Sequence, residues 1–115
     1  MTTARRGDVV ALSATRIGFA REAADEALAV VLQNDVLCAT ASSLVIAPLE
    51  RVPSAPDFPA WVTLEREAAL PGRWIVMTDE VRRIAIARLA PGVRGRLSGG
   101  AMRRIDRALR WVLAL

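Results

Sequence analysis

Short apolar runs bounded by turn-forming residues dominate the hydrophobic pattern of this chain. Five of these runs have the length of a strand, and they cover residues 8–12, 27–32, 44–49, 61–64 and 74–77. Runs of this kind are typical of short antiparallel β-strands. Pro48 lies inside the third run and cannot donate a ladder hydrogen bond. We therefore expect that strand to bend, or to lie at an edge, at Pro48.

The segments between the runs are polar or rich in Pro and Gly. Residues 13–26 predict a polar loop, whose second half, 21–26, could form a helical turn instead. Residues 33–35 read as a turn, and the proline-rich stretch 53–59 predicts a rigid surface loop. Pro71-Gly72 and Pro91-Gly92 predict two further turns. The first leads into the run 74–77, and the second precedes a short predicted strand over 93–97.

The last 18 residues predict an amphipathic helix. Ser98 is a suitable N-cap, because its hydroxyl can accept a hydrogen bond from the first helical turn. Apolar residues recur at spacings of three and four on one side: Met102, Ile105, Leu109, Val112 and Leu113. Arginines occupy the other side: Arg103, Arg104, Arg107 and Arg110. The pattern predicts a single mainly β domain over residues 1–115, an SH3-like antiparallel barrel with a C-terminal helix.

Composition adds two expectations about assembly and location. The apolar fraction, 53%, is high for a small monomer and favours burial against a second subunit. No window approaches the roughly 18 apolar residues that a membrane span needs, and the start of the chain lacks a signal-peptide core. We therefore expect a cytoplasmic protein that does not enter the membrane. The single cysteine, Cys38, has no histidine to activate it and is interpreted as a small buried apolar residue.

Charge and missing residue types narrow the chemistry further. The chain has no His, Lys or Tyr, so histidine-based acid–base catalysis and histidine-bound metals are excluded. All 16 cationic side chains are Arg, whose guanidinium suits phosphate oxygens. Residues 1–50 carry four Arg against six acids, whereas residues 51–115 carry twelve Arg against six acids. This basic second half favours an anionic partner, although a solvated basic face would have the same composition.

The order of the segments resembles the PemK/MazF family of toxin–antitoxin toxins. The matching segments are Arg6-Gly7-Asp8-Val9-Val10, Ala29-Val30-Val31-Leu32-Gln33-Asn34-Asp35, Leu44-Val45-Ile46-Ala47-Pro48-Leu49, the stretch 74–82, the closing stretch from Arg88-Leu89 to Gly95-Arg96-Leu97-Ser98, and the helix that ends in Leu113-Ala114-Leu115. The resemblance implies a homodimeric barrel of the CcdB/MazF type over the whole chain. It also implies cleavage of single-stranded RNA at short sequences without a metal or cofactor, and inhibition by a cognate antitoxin. A basic groove suits an acidic antitoxin segment.

The resemblance places an Arg-Pro pair, whose Arg is the main catalytic cation, just before the second strand. Here those positions hold Ala27 and Leu28. A Thr or Ser follows the third strand in the family, whereas this chain has Glu50 followed by Arg51. One hypothesis is replacement, with Glu50 as general base, Arg51 on the phosphate, and a loop arginine as second cation. The alternative is that Glu50 and Arg51 form an ordinary surface ion pair.

The loop arginines in the replacement hypothesis are Arg16 and Arg21. Arg82 matches the family pattern and is a candidate for RNA binding, although an ion pair with Asp79 that fixes a turn would also explain it. Trp61 could stack on a base, and Trp74 could do the same, but both residue types also suit a core or a dimer interface. Trp111 lies beside the apolar stripe of the helix and is interpreted as a packing residue.

Three functions remain open at this point. The first is an endoribonuclease toxin. The second is a catalytically degenerate binding protein of the same fold, since lost catalytic residues are what it predicts. A gyrase-directed version of the second is disfavoured, because the chain ends Trp111-Val112-Leu113-Ala114-Leu115 and not in the Trp-Gly-Ile of those toxins. The third is a small barrel that shares only the fold, because fold does not fix function.

Overall fold

The computed structural model describes residues 4–12 and 27–115. Within these residues the strands and α-helices are β1 Asp8–Leu12, β2 Ala27–Val31, α1 Asp35–Thr40, β3 Ser43–Arg51, β4 Trp61–Leu64, β5 Trp74–Met77, β6 Arg82–Ala85, β7 Gly95–Arg96 and α2 Gly99–Leu113. The predicted mainly β fold with a C-terminal helix is confirmed. The loop expected over 13–26, with Arg16, Arg21 and the possible helical turn, lies outside the described residues.

The strands form one antiparallel sheet that curls into a half-barrel. Its order is β4-β5-β3-β2-β1-β7, and β6 pairs with the first half of β3. β2 lies on one side of β3. On the other side, β3 pairs with β6 from Ser43 to Ile46 and with β5 from Leu49 to Arg51. The long central strand β3 therefore connects both halves of the sheet.

Of the two alternatives for Pro48, the position on an edge strand is wrong, because β3 is a central strand of the sheet. Pro48 lies in the middle of β3 and opposite Ala29 of the neighbouring strand β2. On the other side of β3, pairing with β6 ends at Ile46 and pairing with β5 begins at Leu49. Pro48 thus occupies the gap between two partners, where the missing N–H costs no ladder hydrogen bond.

Each face of the sheet has its own apolar core because side chains alternate along the strands. On one face Val30, Ala47 and Leu49 pack with Ile105 of α2, which is fully buried. On the other face Val31 and Ile46 pack with Cys38 of α1. The prediction that Cys38 is buried is confirmed, with an exposed fraction of 2%.

Two local predictions need correction. The turn expected over 33–35 instead begins helix α1, because the Asn34 side chain accepts a hydrogen bond from the Leu37 N–H at 2.9 Å. The strand expected over 93–97 is reduced to the two residues of β7. Ser98 caps α2 as predicted, since its hydroxyl accepts from the Ala101 N–H at 3.1 Å.

In the described part of the chain, neither helix has both the length and the apolar character that a membrane crossing requires.

Candidate functional site

Strand alternation separates the two residues at the end of β3. Glu50 lies opposite Ile75 and Arg51 opposite Trp74, so the two side chains leave opposite faces of the sheet. The Arg51 guanidinium lies over the Trp74 ring, 5.3 Å from its centroid, and Arg51 Nη2 donates to the Pro71 carbonyl at 3.5 Å. Trp74 packs against the core under α2, so Arg51 is on the α2 face. The surface ion pair expected between Glu50 and Arg51 is therefore not formed.

Glu50 lies between two strands, with Ile75 opposite it on β5 and position 27 beside it on β2. Leu28 of β2 pairs with Leu49 of β3, and the antiparallel register then puts Ala27 beside Glu50 on the same face. These are the two positions at which the chain departs from the family pattern. The sheet brings them together, which locates the candidate site at this end of β2 and β3.

Two further predicted residues share the face of Glu50. Arg82 pairs with Ile46, four residues before Glu50 on β3, which corresponds to about 13 Å along the strand. Thr63 lies in the same cross-strand row as Glu50, two strands away, at about 10 Å, and Trp61 lies two residues further along β4. The structure thus puts Glu50, Arg82 and Trp61 on one face.

The interactions of Trp61 and Arg82 differ from those expected. The indole N–H of Trp61 donates to Asp79 Oδ1 at 3.0 Å, and its ring contacts Phe58 edge to face at 5.0 Å between centroids. Arg82 pairs with Glu80 at 3.5 Å, so the expected ion pair between Arg82 and Asp79 is wrong in its partner. Trp61 is half-buried and outside both cores, whereas Trp74 does pack against a core.

A groove of about 480 Å³ separates β4 from the second half of α2. Six of its lining residues are Trp61, Thr63, Arg104, Arg107, Ala108 and Trp111. Arg104 Nη1 donates to the Thr63 carbonyl at 2.7 Å. The interpretation of Trp111 as a packing residue is wrong, because 61% of it is exposed.

The sequence contained a signal for this groove that the apolar stripe obscured. Arg104, Arg107, Ala108 and Trp111 follow one another at spacings of three, one and three, which puts them in one row on a helix. The row mixes cationic, small and aromatic residues, so it does not stand out by hydrophobicity. Only the position of β4 shows that this row lines a groove.

Several arginines of the basic half are already engaged in structural contacts. Arg96 Nη1 binds Asp8 Oδ1 at 2.9 Å, and Asp8 is only 7% exposed. Arg73 Nε binds Glu65 at 2.9 Å, and its Nη1 donates to the Pro53 carbonyl at 2.6 Å. The net charge of the second half therefore overstates the positive charge available to a partner.

A curled antiparallel half-barrel, covered on one face by an arginine-rich C-terminal helix, defines a small-barrel protein of the MazF toxin fold. The family model described as PemK-like, MazF-like toxin of type II toxin-antitoxin system matches residues 5–113. This protein belongs to that family, as the order of its sequence segments predicted.

Solved structures agree with this fold. An endoribonuclease in complex with its cognate antitoxin, from a mycobacterial species, has a TM-score of 0.78 at 20% identity, over 97% of this chain and 96% of that one. A MazE–MazF structure from Deinococcus radiodurans has a TM-score of 0.74 at 17% identity, over 100% and 99% of the two chains. The toxin MazF-mt6 of Mycobacterium tuberculosis has a TM-score of 0.72 at 13% identity, over 94% and 97%. No curated protein matches the chain.

Proposed function

We propose that this toxin is an endoribonuclease that cleaves single-stranded RNA at a short sequence without a metal. It acts as a homodimer in the cytoplasm and is inhibited by an antitoxin with an acidic segment. The observation that carries the proposal is the β2–β3 register, in which Leu28 pairs with Leu49 and the next positions, Ala27 and Glu50, are neighbours. A carboxylate is therefore available beside position 27, where the family pattern has its catalytic arginine. Family membership supports it, and so do the fold matches to proteins described as endoribonucleases.

The chemistry needs three groups around the scissile phosphate. A base takes the proton of the 2′-hydroxyl, a cation stabilises the charge on the phosphate, and a donor protonates the leaving 5′-oxygen. The products are a cyclic phosphate and a free 5′-hydroxyl. Glu50 is the proposed base, and Arg21 or Arg16 the proposed cation and donor. Arg82 and Trp61, on the face of Glu50, would bind a flanking phosphate and a base.

The role of Arg51 in this proposal differs from the one expected from the sequence, which placed it on the scissile phosphate. Its guanidinium is held over Trp74 on the opposite face from Glu50, so the two groups do not converge on one phosphate. We therefore assign Arg51 to a neighbouring phosphate of the bound RNA. Its removal should weaken RNA binding more than it slows the chemical step.

The test is cleavage of a long single-stranded RNA in the presence of EDTA, with the cut sites mapped by primer extension. Glu50→Gln should reduce the cleavage rate by about 100-fold or more, because a positioned general base contributes on that order. Arg51→Ala should raise KM and leave kcat nearly unchanged. Asp57→Asn, in the exposed loop before β4, is the matched carboxylate control and should cut at the wild-type rate.

The second candidate function is a toxin-like binding protein without nuclease activity. It is favoured by Ala27, a small buried residue at the position where the family pattern has its catalytic arginine. In that case RNA stays intact at high protein concentration, and Glu50→Gln has no effect on any RNA measurement. If the Glu50→Gln variant still cuts RNA at a recurring sequence, the protein is a nuclease and Glu50 is not its general base.

A further inference from the structure

The groove beside α2 is bordered by an open strand edge. β4 is the last strand of the sheet among the described residues and pairs only with β5 there. The Thr63 carbonyl accepts from Arg104, and the Trp61 N–H donates to the Phe58 carbonyl at 3.0 Å. In an antiparallel ladder the N–H and C=O of one residue point to the same side. Trp61 and Thr63 therefore direct their backbone groups away from β5 and towards the groove.

The open edge is protected by one side chain. Arg104 covers the Thr63 carbonyl, and the neighbouring Thr63 N–H faces the groove in the same direction. Unpaired strand edges are templates for another strand, and proteins protect them with charged side chains of this kind. Arg104 is exposed and holds the carbonyl by one hydrogen bond, so an incoming strand can replace it without disturbing a core.

The two sides of the edge differ in chemical character. α2 covers one face and contributes Arg104, Arg107 and Trp111 to the groove, whereas Trp61 stands on the opposite face of β4. A strand added to β4 would point alternate side chains to these two faces. Carboxylates would then meet the arginines, and apolar side chains would meet Trp61.

These features favour a peptide over a nucleic acid as the occupant. The outward-facing Thr63 N–H, and the Thr63 carbonyl once Arg104 is displaced, match a second backbone in extended conformation. The Asp79 carboxylate holds the Trp61 indole, and Phe58 contacts its ring edge to face. The carboxylate disfavours a phosphate beside the indole N–H, although a base can still stack on the ring, and a peptide can place an apolar residue next to the indole.

We propose that the β4 edge accepts an extended acidic segment of a partner protein as an added strand, with its carboxylates on Arg104 and Arg107. This strand-addition mode uses main-chain hydrogen bonds for affinity and alternate side chains for specificity. The identity of the partner as the antitoxin rests on the proposed function. The docking itself does not require that the protein cleaves RNA.

The test is an NMR titration of the isotope-labelled protein with a synthetic peptide of about eight residues, in which Glu alternates with Val. The backbone amide of Thr63 and the indole N–H of Trp111 should shift together and saturate. A peptide N-methylated at alternate residues, so that it cannot donate to the edge, should bind at least about tenfold more weakly. A peptide in which Lys replaces Glu should not bind.

Variants of the protein test each contact separately. Thr63→Pro removes the edge N–H without removing a bond to β5, and it should weaken peptide binding by about fivefold or more. Arg107→Gln should weaken binding by a similar factor. Arg103→Gln is the matched control, because Arg103 lies on α2 outside the groove, and it should bind as wild type does.

Three results would overturn the proposal. They are the absence of shifts at a peptide concentration of about 1 mM, equal binding of the N-methylated peptide, and the same shifts produced more tightly by a single-stranded 2′-deoxy oligonucleotide. The last result would assign the groove to nucleic acid.

RNA cleavage by the wild type is measured independently of peptide binding. If the protein cuts RNA but does not bind the peptide, only the strand-addition proposal fails. If it binds the peptide but leaves RNA intact, the nuclease proposal fails.

Discussion

At the scale of single residues, the direction of each side chain from its strand decides what it can bind. Glu50 shares its face with Ala27, Arg82 and Trp61, whereas Arg51 is held over Trp74 on the other face. A base and a cation that act on one phosphate must approach it from compatible directions. The cation that completes a site around Glu50 must therefore come from the face of Glu50.

Cys38 provides a prediction at the same scale. Burial raises the pKa of its thiol above the ordinary value, and the carboxylates of Asp35 and Asp8 add to the shift. Because the thiolate is the reactive form, Cys38 should react with a disulfide reagent far more slowly in the folded protein than in the urea-unfolded chain. Equal rates for the two states would contradict the buried environment.

The same shift determines the pH dependence of stability. The folded pKa lies above the unfolded one, so the unfolded chain loses its thiol proton first as the pH rises. The contribution of Cys38 to stability is complete below about pH 8.5 and is lost as the pH rises through the folded pKa. A Cys38→Ala variant should lack this part of the alkaline decline in urea denaturation.

At the scale of elements, α2 serves two different surfaces. Ala101, Ile105 and Ala108 face the core of the sheet, and Arg104, Arg107 and Trp111 face the groove. Ala108 belongs to both sets because it lies where the two surfaces meet. The packing of one side of α2 in the core therefore positions the residues that line the groove.

The short strand β7 depends on a residue without a side chain. A Cβ at Gly95 would lie 2.5 Å from the Ala69 Cβ, and Gly95 has a φ of +155°. Gly95→Ala should lower the free energy of unfolding by about 2–4 kcal/mol, because overpacking and backbone strain add. Thermal or urea denaturation measures this loss.

Two further variants separate the causes of that loss. Ala69→Gly combined with Gly95→Ala removes the 2.5 Å contact and leaves the Cα of residue 69 at 3.1 Å from the added Cβ, so part of the stability should return. Gly92→Ala also has a positive φ, +86°, but no atom within 4 Å of the added Cβ. It should cost only the backbone strain, about 1 kcal/mol. An equal loss in both Gly→Ala variants would exclude the steric explanation.

At the scale of the whole molecule, one arginine connects three distant segments. Arg6 lies just before β1, and its backbone N–H donates to Asp35 Oδ1 at 2.9 Å. Its Nε donates to the Leu32 carbonyl at 2.9 Å, and its Nη2 pairs with Asp106 of α2. These contacts tie the start of the chain to the β2–α1 junction and to the terminal helix.

A double-mutant cycle tests this connection. Arg6→Gln and Asp106→Asn should each lower the free energy of unfolding by about 1 kcal/mol, a modest value because both side chains are 32% exposed. The double variant should lose less than the sum of the two single losses, because both substitutions break the same pair. Strict additivity would show that the pair contributes nothing to stability.

The exposed apolar side chains lead to a prediction about assembly. Outside the groove, Val36, Leu113 and Leu115 are between 58% and 86% exposed. A second copy of the chain would cover part of this surface. Sedimentation equilibrium should then give a mass of about 25 kDa, twice the 12.4 kDa of one chain. A single 12.4 kDa species at all concentrations would contradict the homodimer.

The sequence determined the elements that depend on local pattern. Alternating and continuous apolar runs predicted β1 to β5, and Ser98 with the apolar stripe predicted α2, because both signals arise within a few residues. β6 and the helix α1 were missed. β6 depends on pairing with β3, and α1 begins at Asp35, after the N-cap Asn34, a residue type that also suits a turn.

The tertiary structure decided which residues meet. Three features follow from strand register: the gap between partners that accommodates Pro48, the neighbouring positions of Ala27 and Glu50, and the opposite faces of Glu50 and Arg51. Register joins segments that are distant in sequence, so no local pattern contains it. The same holds for the groove, since a row of residues on α2 becomes a binding surface only when the open edge of β4 lies opposite it. Local chemistry was thus readable from the sequence, whereas its arrangement around a site required the folded sheet.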